Sequence, residues 1–321
     1  MRGLFLSWAP FSRRTETLAR HFGLEARFVS SPWPKRPLAI PLKYPVQALR
    51  TVLVLARDKP DEIWVMDPPL PAVLLAWRRA RRAHRPLVVD VHTVGFYAPE
   101  WRALRRFEKP ALRAARAVVV TNESLARTVR SWGAPALVLP DPLPEPPALG
   151  DETIDEDLVT VVATYSKDEP LALLPEAARS LPDVEFRVTG APRGDLSGWP
   201  ANLQATGFLD DGEYWRQLAR SAVVAVLTTR PDTLLSGGYE ALALERPLVV
   251  SDHEVLRDYF ADAAVYAEAS AAGVAAAVAD ALARRDQLAG RMRELAPRRR
   301  AEWQAAARRL ERLVGRGEEA R

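Results

Sequence analysis

Two carboxylates bracket a run of small and apolar residues in the second half of the chain. They are Asp232 and Glu240, and Leu234, Leu235, Ser236, Gly237 and Gly238 lie between them. Residues 239–245 have helix-forming composition, and Pro247 then opens an apolar strand that ends in Ser251 and Asp252. A helix starting here presents N–H groups and the positive end of its dipole, a setting suited to a phosphate. Carboxylates beside it accept hydrogen bonds from hydroxyls. A phosphate flanked by hydroxyl-binding carboxylates is what a nucleotide-sugar site requires. Asp232 is the candidate for chemistry at the sugar; Glu240, Ser236, Gly237, Gly238, Leu234 and Leu235 are the candidates for donor binding, the last ones through backbone amides. The same residues also read as an ordinary loop and helix start, with Ser236 as N-cap and Glu240 in the first turn.

Other residues are placed for related chemistry. Asp90 and His92 end an apolar run, 87–91, where α/β folds put functional groups. A histidine bonds a developing charge or a sugar hydroxyl near neutral pH. Asp90 either orients His92 or caps the following loop; in an inverting reaction either residue is the candidate general base. Lys167 and Arg193 follow strand-like runs of the second half and are candidates to face a diphosphate. Ser12, Arg13 and Arg14 begin a helix after the first strand and are candidates to meet an anionic acceptor, or else a solvated helix start. Stretches 77–85, with Arg78 and Arg82, and 101–109 interleave aromatics with arginines. Such segments lie at a membrane interface or form a solvated face over buried tryptophan. Asp155 and Asp157 match an Asp-x-Asp pattern but sit in a linker and read as solvated acid, and the four histidines are scattered singly, so no metal is expected.

These residues need elements to hold them. Apolar runs at 3–8, 26–30, 62–66, 87–91, 117–121 and 136–139 alternate with helical segments at 13–22, 46–57, 71–83, 101–117 and 124–132. Near-continuous Val, Ile and Leu runs of this length suit parallel strands buried on both faces. The Pro-rich stretch 140–147 reads as a stiff linker, after which strands recur at 158–163, 185–189, 203–205, 223–228, 248–251 and 264–266. Two doubly wound α/β halves follow, with ligands expected at the carboxyl ends of strands, in a cleft between the halves. The boundaries read as 1–148, 149–296 and a C-terminal helix 297–321, its tail 315–321 frayed. Trp303, Ala307, Leu310 and Val314 share one face of that helix.

A chain of 321 residues with 48% hydrophobic and 27% charged content supports two globular cores. The absence of cysteine excludes disulfides and thiolate metal sites. The N-terminus lacks the apolar core of a signal peptide, and no run reaches the ~20 apolar residues of a membrane span. A cytoplasmic protein, at most at the inner face of a membrane, is expected. Residues 1–150 carry 24 Lys and Arg against 12 Asp and Glu, a charge of +12, which leaves −8 for the rest. The basic half attracts an anionic surface such as headgroups or a polyphosphate carrier. No aromatic stacking motif accompanies it, so nucleic acid is not an expected partner.

The segment from Asp232 to Asp252, with Leu256, Arg257, Asp258, Tyr259 and Phe260 after it, resembles the donor signature of GT-B glycosyltransferases, in particular retaining family four. That family carries Glu-x7-Glu before a small-residue helix and a Pro-Val-Val strand. Glu240 matches the second Glu, which the resemblance assigns to the ribose hydroxyls; Asp232 stands for the first, one methylene shorter, which implies an altered or water-mediated sugar contact. The Gly-Arg pair of the family is absent from 164–170, leaving Lys167 as the basic group there, and the glycine-rich loop after the first strand is absent as well. Met66 to Pro69 and Asp90 to Gly95 resemble the Asn-Pro-Pro and Asp-x-His segments of bacterial polysaccharide and lipid-linked sugar transferases. The resemblance implies a GT-B fold whose last helix, 297–321, crosses back to the first half, and a metal-independent, retaining transfer of sugar from a nucleotide donor to a lipid-linked or polysaccharide-type acceptor, without a cofactor. A sugar-nucleotide epimerase on the same fold, a transferase that binds without turnover, and a non-catalytic protein that binds membrane or nucleic acid are the alternatives.

Overall fold

The computed structural model describes residues 2–31, 40–150 and 152–315, so 316–321 of the expected frayed tail lie outside the described residues. The chain separates into two compact units, Met1–Asp141 with Gln304–Arg321, and Pro142–Trp303.

The first unit runs β1 (Gly3–Ser7), α1 (Arg13–His21), β2 (Leu24–Phe28), α2 (Ile40–Asp58), β3 (Glu62–Asp67), α3 (Leu70–Ala83), β4 (Leu87–Val91), α4 (Val94–Tyr97), α5 (Pro99–Ala114), β5 (Ala117–Val120), α6 (Glu123–Ser131) and β6 (Ala136–Val138). Its strands pair in parallel in the order β2-β1-β3-β4-β5-β6. Every residue of β1, β3, β4 and β5 is buried, as expected of a sheet covered on both faces. The chain goes from β1 to one side and from β2 to the other, so the sheet reverses direction between β1 and β3.

The second unit runs β7 (Asp155–Val161), α7 (Leu174–Arg179), β8 (Glu185–Thr189), β9 (Leu203–Gly207), α8 (Asp211–Arg220), β10 (Ser221–Val226), α9 (Ser236–Ala243), β11 (Leu248–Ser251), α10 (Glu254–Phe260), β12 (Ala264–Ala267), α11 (Ala271–Ala283) and α12 (Arg285–Leu313). Its sheet, again parallel, has the order β12-β11-β10-β7-β8-β9. The reversal falls between β7 and β10. Crevices outside the carboxyl ends of the strands at such a reversal are where open α/β sheets bind ligands.

Local chemistry starts the helices where it should. Ser12 caps α1, Asn122 caps α6, Ser270 caps α11, and Asp210 with Glu213 forms a capping box on α8. The last helix departs from the expected start at residue 297. It begins at Arg285 and passes through Pro297. Proline lacks the amide for the preceding turn, yet both sides of it are anchored. Leu288, Met292 and Leu295 are buried before it, and Trp303, Ala307 and Leu310 after it. Packing overrides the local break.

Candidate functional site

In the first unit the polar centre lies at the carboxyl end of β4. Asp90 is wholly buried, and Arg14 of α1 reaches it with Nε at 3.0 and 3.1 Å and Nη2 at 2.8 Å. Arg14 also donates to Asp141 at 2.7 Å and to the Leu139 carbonyl at 2.9 Å. Burial alone would raise the Asp90 carboxyl; the Arg14 charge and the His92 hydrogen bond outweigh it and hold the group well below the usual carboxylate range. Asp90 is therefore ionised, and His92 Nε2–H donates to it at 3.1 Å. That holds the half-buried imidazole ring in place. Asp90 is enclosed behind His92.

One expectation for the start of α1 changes. Arg14 is not an exposed cation for an anionic acceptor but the core of this ion pair. Successive residues of a helix point about 100° apart, so Arg13 is exposed while Arg14 turns inward. Ser12 accepts from the Thr15 amide at 3.2 Å and serves as the cap.

A second buried group adjoins the first. Asp67, from the Met66–Pro69 motif, accepts from Arg105 Nη1 at 2.7 Å, and Glu108 accepts from the same atom. Arg105 also donates to the Gly95 carbonyl at 2.7 Å and lies 4.9 Å over the Trp132 ring. Stretch 101–109 is thus not a uniformly solvated face. Burial, and next the Asp67 charge, push Glu108 up to about 9. Arg78 and Arg82 remain exposed on α3.

In the second unit the site gathers at the reversal between β7 and β10. Helix α9 begins at Ser236, three residues earlier than its composition suggests, with Leu235 as N-cap. Ser236 therefore occupies the first helical position and is not the cap. Gly238 and Tyr239 amides return to the Leu235 carbonyl at 3.0 and 3.4 Å, and the Ser236 and Gly237 amides lie ahead of that first turn. Leu234 and Leu235 are half-buried and pack on the core of this unit.

Both glycines of α9 are buried for a packing reason. A Cβ on Gly237 would sit 2.9 Å from Val162 and 3.0 Å from Val226, and one on Gly238 would sit 2.8 Å from Phe260. The helix start thus lies directly on the ends of the two reversal strands, which only glycine permits. One turn later Glu240 is buried at 4% exposure and accepts from Tyr214 of α8 at 2.5 Å.

Asp232 lies in the loop between β10 and α9, half-buried. Partial burial first, then the Glu254 charge, push its carboxyl above the ordinary range, with His253 opposing. His253 Nε2 bonds the Thr228 carbonyl at 3.0 Å, and Ser251 Oγ accepts from the Thr228 amide at 2.8 Å. The loop after β7 closes the group. Glu169 accepts from the Thr164 and Ser166 amides at 2.9 and 3.0 Å, while Asp168 takes Arg230 at 3.0 Å and its carbonyl takes the Thr229 amide at 2.7 Å. Lys167 is exposed on this loop, and Arg193 is exposed on the loop after β8. Asp155 and Asp157 begin β7 rather than lying in a linker, and Glu156 between them pairs with Arg285.

Tyr214, His253, Glu254, Asp168 and the inward role of Arg14 are absent from the sequence reading. Tyr214 meets Glu240 across 26 positions, and no short spacing signals that contact. Asp168 and Glu169 lie inside the 164–170 segment already singled out, where Lys167 alone drew attention.

Residues 10–141 match the family described as glycosyl transferase 4-like domain, and residues 169–314 match that described as glycosyl transferase-like. Among solved structures, sucrose-phosphate synthase from Thermosynechococcus elongatus is similar with a TM-score of 0.74 and 15% identity, over 98% of each chain. HepE of Anabaena in complex with UDP-glucose is similar with a TM-score of 0.72 and 15% identity, over 97% of this chain and all (100%) of that one. Its complex with UDP and glucose gives 0.71 and 15%, over 97% and 99%. At this identity the likeness speaks for the fold. No curated protein matches the chain by sequence.

Proposed function

Because the chain belongs to the GT-B glycosyltransferases, we propose that it moves a sugar from a nucleotide donor, a UDP-sugar foremost, to a lipid-linked or polysaccharide-type acceptor, with retention and without a metal. The donor belongs to the second unit. Its diphosphate rests at the start of α9, where the Ser236 and Gly237 amides and the helix dipole take up charge as the leaving group departs. Glu240 accepts from the ribose hydroxyls and Asp232 from the sugar. Lys167 and Arg193 are the nearby candidates for further charge on the diphosphate. The acceptor belongs to the basic first unit, with His92 as polar contact for a sugar hydroxyl.

The observation that carries this reading is Glu240: a buried carboxylate held by Tyr214, one turn into a helix seated on the reversal of the sheet. A carboxylate so positioned accepts from hydroxyl donors, Tyr214 Oη among them and, in this reading, the ribose. The UDP-glucose complex of HepE, alike in fold, supports a UDP-sugar as the first donor to try.

The test is a thermal-shift series with UDP-, GDP-, ADP- and TDP-sugars on the native chain and on Glu240→Ala. A ligand at one hundred times its Kd adds about 2.7 kcal/mol to the native state. At least one donor is expected to raise the melting temperature, and the substitution to abolish the rise. No shift with any nucleotide sugar overturns the proposal.

A further inference from the structure

We infer that the outward surface of α2 and α3 docks on an anionic lipid bilayer. The inner face of α2 is pinned to the first unit. Gln47 donates to the Val29 carbonyl at 2.7 Å, Thr51 accepts from Trp8 Nε1 at 2.8 Å, and Leu55 is buried. These positions recur every fourth residue, so helical geometry turns Leu49, Val52 and Leu53 the other way. They are 60%, 46% and 59% exposed. Three large apolar side chains at this spacing make one ridge that stays open to solvent among the described residues.

Charge identifies the occupant. Helix α3 packs beside α2 and presents Arg78, Arg81 and Arg82 to solvent. Residues 40–59 and 70–85 together hold nine Lys and Arg against one carboxylate, Asp58, which is buried and bonded to Arg57 at 2.7 Å. A second copy docking here through the same face would oppose like charge with like. An anionic bilayer offers negative headgroups to the arginines and an apolar interior to the ridge. Helix α5 packs on the other flank of α3 and extends the surface, with Phe107 52% exposed and Arg106 4.7 Å over its ring. Among the described residues no helix is long and apolar enough to cross a membrane, so this surface gives reversible attachment. The inference stands apart from the donor and the chemistry, since it concerns a face and not a site.

Cosedimentation of the full chain with phosphatidylcholine vesicles, alone or with a third of phosphatidylglycerol, tests it. The native protein is expected to pellet with the anionic vesicles at low salt and to be released at high salt. Leu49→Asp with Leu53→Asp is expected to weaken partitioning about tenfold or more. Arg78→Ala with Arg82→Ala is expected to weaken it about fivefold per arginine at low salt. All four side chains are exposed, and circular dichroism melting of each variant is expected to match the native protein. Native protein that stays in the supernatant overturns the proposal, as does binding undiminished by the leucine substitutions. Concentration-dependent self-association that the leucine substitutions abolish, without vesicle binding, assigns the ridge to a second copy and also overturns it.

Discussion

Asp90 and Asp232 both stand near the carboxyl ends of parallel strands, one in each unit, and their surroundings move them in opposite directions. Asp90 is fully buried and yet held ionised, because Arg14 lies against it and His92 donates to it. Asp232 is only half-buried and is pushed up, first by that burial and then by the Glu254 charge, with only His253 opposing and no arginine among the causes. Burial raises both groups; at Asp90 the Arg14 charge and the His92 bond reverse its sign, and at Asp232 nothing does. The first carboxylate is an anchor whose hydrogen bonds are made within the protein. The second has no such buried counter-charge among the causes acting on it, and it lies in the loop before α9.

The sharpest way to break this contrast is Asp90→Ala. It leaves the Arg14 charge buried without its main partner, and a loss of about 3–5 kcal/mol is expected in urea unfolding of the first unit. A loss below about 1 kcal/mol would make Asp90 and Asp232 alike. Asp232→Asn is the counterpart: the melting temperature is expected to hold or rise, while kcat/KM for sugar transfer falls about tenfold or more.

Gly237→Ala drives a methyl group against Val162 and Val226. About 1–3 kcal/mol of second-unit stability is expected to go, and with it the donor-induced thermal shift. Tyr214→Phe removes a hydrogen bond to a charged group, worth about 1.5–3 kcal/mol at most. It is expected to raise KM for the donor several-fold with kcat within about twofold, the pattern of lost binding rather than lost chemistry. Glu108 is read through pH rather than at a single condition. Its folded value of about 9 exceeds its ordinary 4.5, so the native state binds a proton that the unfolded chain releases across that window. Stability therefore declines as pH rises from about 4.5 to about 9 and levels off beyond. Glu108→Gln is expected to flatten the melting curve against pH between 6 and 9, read by differential scanning calorimetry.

Much of the architecture is legible in the sequence because buried parallel strands announce themselves as unbroken Val, Ile and Leu runs, as in 62–66 and 223–228. Helix α9 is legible from the two glycines and the run after them, although its start lies three residues earlier than composition suggests. What escapes is whatever depends on rotation about a helix or on distant pairing. Arg13 and Arg14 are identical in type and adjacent, and only the turn of α1 sends one outward and one into the core. Tyr214 and Pro297 escape for the second reason: the first acts on a residue in another helix, and the second is overruled by side chains packed on both sides of it.

Helix α12 has a consequence for how the protein is made. Ala307, Leu310 and Val314 are buried, and the segment from Gln304 belongs to the first unit. A ribosome that has finished residues 1–141 has not yet supplied this layer. The second unit, whose residues are contiguous, can close first, and the earlier-made unit waits with an open apolar seam until the last helix emerges.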